Sequence, residues 1–397
     1  MSKKPEIAAP VARQLSIQAV IDVFLERGSI SRARLSEVTG LSKQTMSEVV
    51  RELVSQGWIK EGEPVTGGVG RRALNYEFQE GACYVLGIDL GGATFRAALV
   101  TLNGKISLES SEETDARGGI YVIEQIALAI ERMIASSGIS RRSIQVGVIA
   151  VSGVFQTSTG AVLAASNISG INNIDFAGML TERIGVPLLV ENAVDMATRG
   201  ERWHGSVKGV DNFIFVAHGA GIGLGAVVGG MILKGRRGAI GEIALLPIGA
   251  NPFDSRKFEV GTLESEVGAQ AIVRKYECYG GAHGASVRDI FGALEDGSEP
   301  AEMVIDETAR LVALAIASSA AVLDPEVVVM GGQIGVHPAL ISRVERYLKR
   351  CTPLQLRLEP TSLGPRAQLI GALGAGIDFA YERLFGVSAS GHPRRVL

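Results

Sequence analysis

Two stretches of this 397-residue chain place glycines where a turn between strands leaves backbone amides free to hold phosphate. The first is Asp89-Leu90-Gly91-Gly92-Ala93-Thr94, after an apolar run over residues 84–88. The second is Gly219-Ala220-Gly221-Ile222-Gly223-Leu224-Gly225, after a similar run. Successive N–H groups in such turns form anion-binding concavities. Residues 221–226 also fit a loose dinucleotide pattern, but a strand follows them where that pattern requires a helix, so a Rossmann site is rejected. A third marked stretch lies near the N-terminus. Ser42, Lys43, Gln44, Thr45 and Ser47 open a segment whose apolar stripe is Met46, Val49, Val50, Leu53 and Val54. That leaves polar side chains clear of the core, as a helix that reads DNA bases requires. Arg71 and Arg72 leave a glycine-rich loop with charge suited to phosphates or a minor groove.

The elements that must position these residues follow from periodicity and turn chemistry. A helix over 12–27 carries Leu15, Val20, Ile21, Val23 and Phe24 at helical spacing, and Gly28 stops it. Ser31 begins a short second helix that ends at Thr39-Gly40. Ser42 caps a third helix over 43–56, closed by Gly57. Strands over 58–61 and 73–78 flank the loop 66–72. This order predicts a winged helix-turn-helix; the bland alternative is a helical bundle with a solvated basic loop.

Beyond Cys83 the pattern changes to apolar strands with abundant glycine. Asn103-Gly104 and Gly229-Gly230 each mark a hairpin into a third strand. Two strand-glycine-strand units about 130 residues apart imply a duplicated α/β fold with two facing lobes. A buried helix is expected over 310–323, a strand over 326–330, an amphipathic helix over 338–351 and a last helix over 371–385.

Hydrophobic residues make up 46% of the chain and charged residues 20%, ample for real cores and too apolar for disorder. The net charge of −3 is divided: residues 1–75 carry 11 Lys and Arg against 8 acids, and the remainder is net −6. That polarity suits a DNA-reading head on an acidic body. No apolar run is long enough for a membrane span, and no signal peptide is recognisable. Cys83, Cys278 and Cys351 are scattered, as in a reducing cytosol, so a cytoplasmic location is expected.

Over residues 12–386 the chain resembles the ROK family of repressors and sugar kinases, specifically its regulators with an N-terminal winged helix. The resemblance rests on both glycine motifs (with Ala220 where a threonine is usual), on Gly241-Glu242-Ile243, on Gly261-Thr262-Leu263-Glu264, and on the wing ending Gly70-Arg71-Arg72. It implies a winged helix-turn-helix over 1–80 and, over 81–397, a two-lobed actin-like ATPase body of duplicated ribonuclease H-like units. Lobe one would span about 84–192 plus the C-terminal helix 371–386, and lobe two about 193–370. The resemblance also implies sugar-facing roles for Gly153, Ser166, Asn192, Glu242 and Glu264.

The departures bear more on function. The family's catalytic aspartate falls on Ala193, which has no proton acceptor, so no catalytic residue is assigned. Asp195 is the nearby carboxylate, but two helical positions rotate it by about 200°, towards the opposite face. The family's zinc ligands fall on Leu245, Ser255, Lys257 and Thr262, which form no competent zinc set. We therefore expect a DNA-binding regulator, a repressor by type, whose body binds a sugar or sugar-derived effector without phosphorylating it. No metal or cofactor is expected to be required. Expected partners are double-stranded operator DNA, the effector and a second copy in a homodimer or homotetramer, with no membrane. The alternatives are an active carbohydrate kinase with an accessory DNA-binding domain, and a DNA-binding protein whose body only dimerises.

The zinc reading is directly testable. Elemental analysis of tag-free protein is expected to find no stoichiometric zinc, and a chelator is expected to leave the melting temperature unchanged. One tightly held zinc per chain would mean that the loop around Ser255 is misaligned.

Overall fold

The computed structural model describes residues 11–64, 74–156, 161–163, 168–172, 174–236, 238–258 and 260–386. Its N-terminal unit begins with α1 (Val11–Arg27), which buries Val20, Ile21, Val23 and Phe24. A two-residue strand β1 (Ile30–Ser31) precedes α2 (Arg32–Thr39). Ser31, expected to be the first residue of α2, is instead its cap, accepting from the Arg34 amide. Gly40 ends α2 in the left-handed conformation, with φ of 70°. The Ser42 hydroxyl accepts from the Thr45 amide and starts α3 (Lys43–Ser55), which turns Met46, Val49, Val50 and Leu53 inward. Strands β2 (Ile59–Pro64) and β3 (Leu74–Phe78) pair antiparallel, and β1 joins β3 on its other edge. The tip between β2 and β3, with Arg71 and Arg72, lies outside the described residues.

The body repeats one topology twice. In the first sheet, β4 (Tyr84–Leu90), β5 (Thr94–Thr101) and β6 (Ile106–Glu113) form an antiparallel meander. Then α4 (Gly119–Ser137) leads to β7 (Ile144–Val151), parallel to β4. The short ribbon of β8 (Val154–Gln156) and β9 (Ala161–Leu163) and helix α5 (Phe176–Ile184) follow. Next come β10 (Leu188–Asn192), parallel to β7, and α6 (Ala193–His204). The second sheet starts with β11 (Phe213–His218), β12 (Ile222–Val228) and β13 (Met231–Ile232), again antiparallel. Helices α7 (Glu264–Val267), α8 (Ala269–Cys278), α9 (Val287–Glu295) and α10 (Glu299–Leu323) then precede β14 (Val327–Gly331), parallel to β11. The chain closes with α11 (Gly332–Gly335), α12 (Pro338–Cys351), β15 (Arg357–Pro360) parallel to β14, and α13 (Ala367–Phe385).

Two elements exceed the sequence expectation. Helix α10 starts at Glu299, not near 310, because Pro300 is tolerated in its first turn and its first half is polar outside. Helix α13 starts at Ala367, following directly on a 3-10 turn over Gly364–Arg366.

Each repeat ends in a helix, and these two helices pack on one another. Helix α6 also lies on β11 and β12, whereas α13 lies on β4, β5 and β7. Their crossing is closed to side chains. A Cβ at Gly371 would collide with the Met196 carbonyl oxygen, one at Gly200 with that of Ala367, and one at Gly374 with the Trp203 ring. Arg199 and Asp378 form an ion pair beside the crossing.

The last turn of α13 holds the N-terminal unit. The Tyr381 hydroxyl donates to Asp22 Oδ1 at 2.8 Å, and Trp58 meets the Phe385 ring edge-on at 5.3 Å. The apolar cores of the helix-turn-helix, α13 and the outer side of the first sheet are continuous through Val20, Phe24, Leu53, Val85 and Ile377. Among the described residues, no helix is long and apolar enough to cross a membrane.

Two glycine substitutions separate these constraints. Gly371→Ala is expected to destabilise the protein by about 2–4 kcal/mol, because backbone must move to admit the methyl group. Gly292→Ala, in α9 with open space around it, is expected to stabilise by about 0.5–1 kcal/mol. Denaturant unfolding of both variants is the measurement; equal midpoints would refute the close crossing.

Candidate effector site and DNA-binding face

The candidate effector site is built around the end of β10. Asn192 is the N-cap of α6: its Oδ1 accepts from the amides of Val194 at 2.8 Å and Asp195 at 3.1 Å. Its Nδ2 donates to the Gly153 carbonyl at 3.1 Å, so these two expected residues are brought together. Both polar ends of the Asn192 amide are thus fixed by backbone, which sets its rotamer before a ligand arrives. Ala193 follows at 7% exposure, a methyl group at the first helical position. Ser166 lies outside the described residues.

Glu242 and Glu264 approach from the other lobe. Gly241 precedes Glu242 with φ of 93° and packs so tightly that a Cβ would strike the Leu224 carbonyl oxygen. Glu264 opens α7, and its carboxylate accepts from the Ile222 amide at 3.0 Å, lying over Gly221 of the second glycine loop. Burial raises the pKa of both carboxyls, and Glu242 adds to the rise at Glu264. Leu245 is 58% exposed, an apolar side chain open to solvent just beyond Glu242.

The sequence reading missed two charged residues here, Glu191 and Lys234, and it turned Asp195 away from Ala193's face. Asp195 is buried rather than turned to solvent. Its pKa is pushed up to about 6, chiefly by burial; Lys234 opposes the rise, and Glu191 and Glu242 add to it. Charges on Lys234, Glu191 and Glu242 therefore all reach Asp195, although it stands two helical positions from Ala193. Lys234 is ion-paired to Glu191. The available signal for Asp195 was local: an acid three positions after an N-cap asparagine sits in the first turn of a helix. Nothing local announced Lys234.

The two glycine loops have different supports. In the first, the Gly91 amide donates to the Thr94 carbonyl at 3.1 Å, and Asp89 faces Arg96 across the β4–β5 pair. Their side chains lie 3.4 Å apart, yet burial outweighs the arginine and lifts Asp89 to about 6. In the second, the Gly219 amide donates to the Gly221 carbonyl, and His218 is wholly buried beneath the turn. Burial depresses its pKa to about 4, so it is neutral at pH 7, with Nε2 on the Val267 carbonyl at 2.7 Å. His218 thereby joins the second loop to the helix that carries Glu264. Among the described residues, no group of three or more His, Cys, Asp or Glu side chains is placed to hold a metal ion.

On the DNA-binding face, Lys43 and Gln44 are exposed at the start of α3. Ser42 is exposed as well, but its hydroxyl is committed to the Thr45 amide and hydroxyl. Thr45 and Ser47 are half-buried, and the Ser47 hydroxyl donates to the Lys43 carbonyl. The Gln44 amide donates to Glu48 Oε1 at a long 3.4 Å, so Lys43 is the freest of the five to meet base edges, with Gln44 next.

The raised Asp195 pKa gives a signed prediction. Between its ordinary value of 3.8 and about 6, the unfolded chain is ionised there while the folded chain still holds the proton. Stability contributed by this group thus falls as pH rises across that window and is fully lost above it. Asp195→Asn is expected to be more stable than wild type at pH 7 by about 1–3 kcal/mol, the difference fading by pH 4. Identical melting temperatures at pH 7 would show that Asp195 is solvated.

Comparison with known proteins agrees with both halves of this architecture. A model of the ROK family matches residues 85–375, and a model of winged helix-turn-helix DNA-binding domains matches residues 16–60. The xylose repressor of Bacillus subtilis is 24% identical over 373 residues, covering 92% of this chain and 96% of the repressor. A glucokinase of Halalkalibacterium halodurans is 29% identical over 272 residues, covering 63% of this chain and 80% of the kinase. The crystal structure of a ROK-family transcriptional regulator, a homologue of the E. coli MLC protein, superposes with a TM-score of 0.74 at 23% identity, covering 95% of this chain and 98% of that one. The chain belongs to the ROK family, as a DNA-binding regulator that joins a winged helix-turn-helix to a sugar-kinase-like body.

Proposed function

We propose that this protein is a sugar-responsive transcriptional repressor, and that its body binds a sugar or sugar-derived effector in the Asn192–Glu242–Glu264 cleft without phosphorylating it. The observation that carries this reading is a continuous path of rigid contacts. Asn192 caps α6, α6 crosses α13 at the Gly200–Gly371 contact, and Tyr381 and Phe385 at the end of α13 grip the helix-turn-helix. A ligand that draws the two lobes together binds one arrangement of α6 and α13 more tightly than the other. The DNA-binding unit moves with α13, so effector occupancy and operator occupancy are coupled, each altering the affinity for the other.

Carboxylates and a pinned amide suit a hydroxyl-rich ligand, since each oxygen accepts from a hydroxyl and the amide fixes orientation. The relative that matches along both halves of the chain is named a xylose repressor, which supports regulation over catalysis. Ala193 supports it further, because nothing at that position takes a proton from a sugar hydroxyl. The kinase alternative draws on the glucokinase relative, on the retained glycine loops and on Asp195, a buried carboxyl in the first turn of α6. Asp195 would have to reach a hydroxyl from the third position of α6.

The test joins DNA, sugar and ATP. Selection from random duplexes is expected to yield a roughly palindromic operator with half-sites about 10 base pairs apart or a multiple of that. One sugar from a panel including D-xylose, D-glucose and N-acetyl-D-glucosamine is expected to weaken operator binding by about tenfold or more. With ATP and magnesium, phosphoryl transfer to the same sugars is expected at no more than a trace, since a general base is worth roughly 10²–10⁴-fold. Robust turnover abolished by Asp195→Asn would replace this reading with the kinase.

A further inference from the structure

A line of alternating charge crosses the second lobe beside the effector site. Lys257 Nζ lies 2.8 Å from Glu266 Oε1, and Glu266 Oε2 lies 2.8 Å from Lys275 Nζ. Lys275 Nζ is also 3.1 Å from Glu307 Oε1, and the Tyr279 hydroxyl donates to Glu307 Oε2 at 2.6 Å. The four charged side chains are only 15 to 28% exposed. Burial alone would raise the Glu266 pKa, yet its two lysines hold it below the ordinary value. Isolated surface ion pairs add little, about 0–1 kcal/mol, but shielded networks with several partners are an exception.

The line ties the 3-10 turn Ser255–Lys257 to helices α7, α8 and α10, which already share one apolar core through Val267, Ile272 and Val304. Lys257 ends the 3-10 turn Ser255–Lys257, Glu266 is on α7, Lys275 is on α8 and Glu307 is on α10. The loop over 252–261 cannot be anchored by its own aromatic residues, because Phe253 is 89% and Phe258 67% exposed. Among the described residues, its other ties are local: the Asp254 carboxylate accepts from the Arg256 amide and guanidinium, and the Gly261 amide donates to the Lys257 carbonyl at 2.7 Å. Glu266 stands two residues after Glu264 in the same four-residue helix, a helix too short to hold its shape unaided.

We propose that the Lys257–Glu266–Lys275–Glu307 network is the fastening that holds the 252–261 loop and positions Glu264 for the effector, with Lys257 and Glu266 as positioning residues. The position of Lys257, where the family places a zinc ligand, gives this a physical logic. An ion pair to α7 supplies the attachment that a loop without apolar anchors needs, and the lysine ammonium makes a cation at that point redundant. The role in effector binding rests on the function proposed above; the fastening of the loop does not.

Hydrogen exchange on the full chain, with binding of D-xylose, D-glucose and N-acetyl-D-glucosamine, tests the proposal. Lys257→Met is expected to speed amide exchange over residues 252–267 by about tenfold, with α3 and α13 unchanged. Lys257→Arg keeps the charge and is expected to match wild type, whereas Lys257→Glu faces Glu266 with like charge and is expected to exchange fastest. Whichever sugar the wild type binds is expected to bind Lys257→Met about three- to tenfold more weakly and Lys257→Arg normally. Wild-type exchange in both Lys257→Met and Lys257→Glu would overturn the fastening, as would equal loosening in Lys257→Arg. Loosened exchange with unchanged sugar affinity in Lys257→Met would overturn the positioning of Glu264. Absence of binding by wild type to any of the three sugars would count against the effector reading for this panel, while the exchange comparison would still decide the network.

Discussion

Helices α6 and α13 approach so closely that neither Gly200 nor Gly371 has room for a methyl group. Interiors this dense do not deform smoothly; a shift of one helix is passed to its neighbour as a rigid displacement. This contact is where the two repeats of the body meet, since each helix terminates one repeat and α13 returns to cover the first sheet. It is also the place where the proposed effector site and the DNA-binding unit come nearest to sharing a structural element. One end of α6 is capped by Asn192, and the far end of α13 is welded to α1 and the β2 strand region by Tyr381, Phe385 and Trp58. The helix-turn-helix is therefore not a bead on a linker. Its core runs into the core of the first lobe without an intervening polar layer.

The chemistry of the cleft follows from desolvation. Glu242, Glu264, Asp195 and, farther off, Asp89 are all carboxyls whose pKa burial raises. Holding several such groups near one another without enough cations costs stability, and such costs concentrate where a ligand is to bind. Lys234 offsets part of the cost at Asp195, and Arg96 part of that at Asp89. A sugar entering between the lobes would supply hydroxyl donors to these oxygens, replacing water that burial has removed. The second lobe handles its charges differently. There two lysines alternate with two glutamates, so each charge has a partner of opposite sign.

The chain's local features were largely legible in the amino-acid sequence. Ser42 and Gly40 frame the turn before α3 through interactions spanning three or four residues, and Asn103-Gly104 and Gly229-Gly230 turn their hairpins with glycines at positive φ. Both glycine loops, both hairpin units and the caps therefore appear where periodicity and turn chemistry place them. The motif around Asn192 was legible for the same reason, because the asparagine caps the helix that begins at the next residue. Tertiary packing decided the rest. The sequence does not show that α13 crosses back to α6, that Lys234 pairs with Glu191 across 43 residues, or that Tyr381 reaches Asp22 across 359. Nor does it show that Asp195 is buried within reach of the charges on Lys234, Glu191 and Glu242. The difference is one of range. Capping, turns and side-chain periodicity are set by neighbours a few residues apart, whereas burial, charge pairing and pKa depend on which distant surfaces the fold brings into contact.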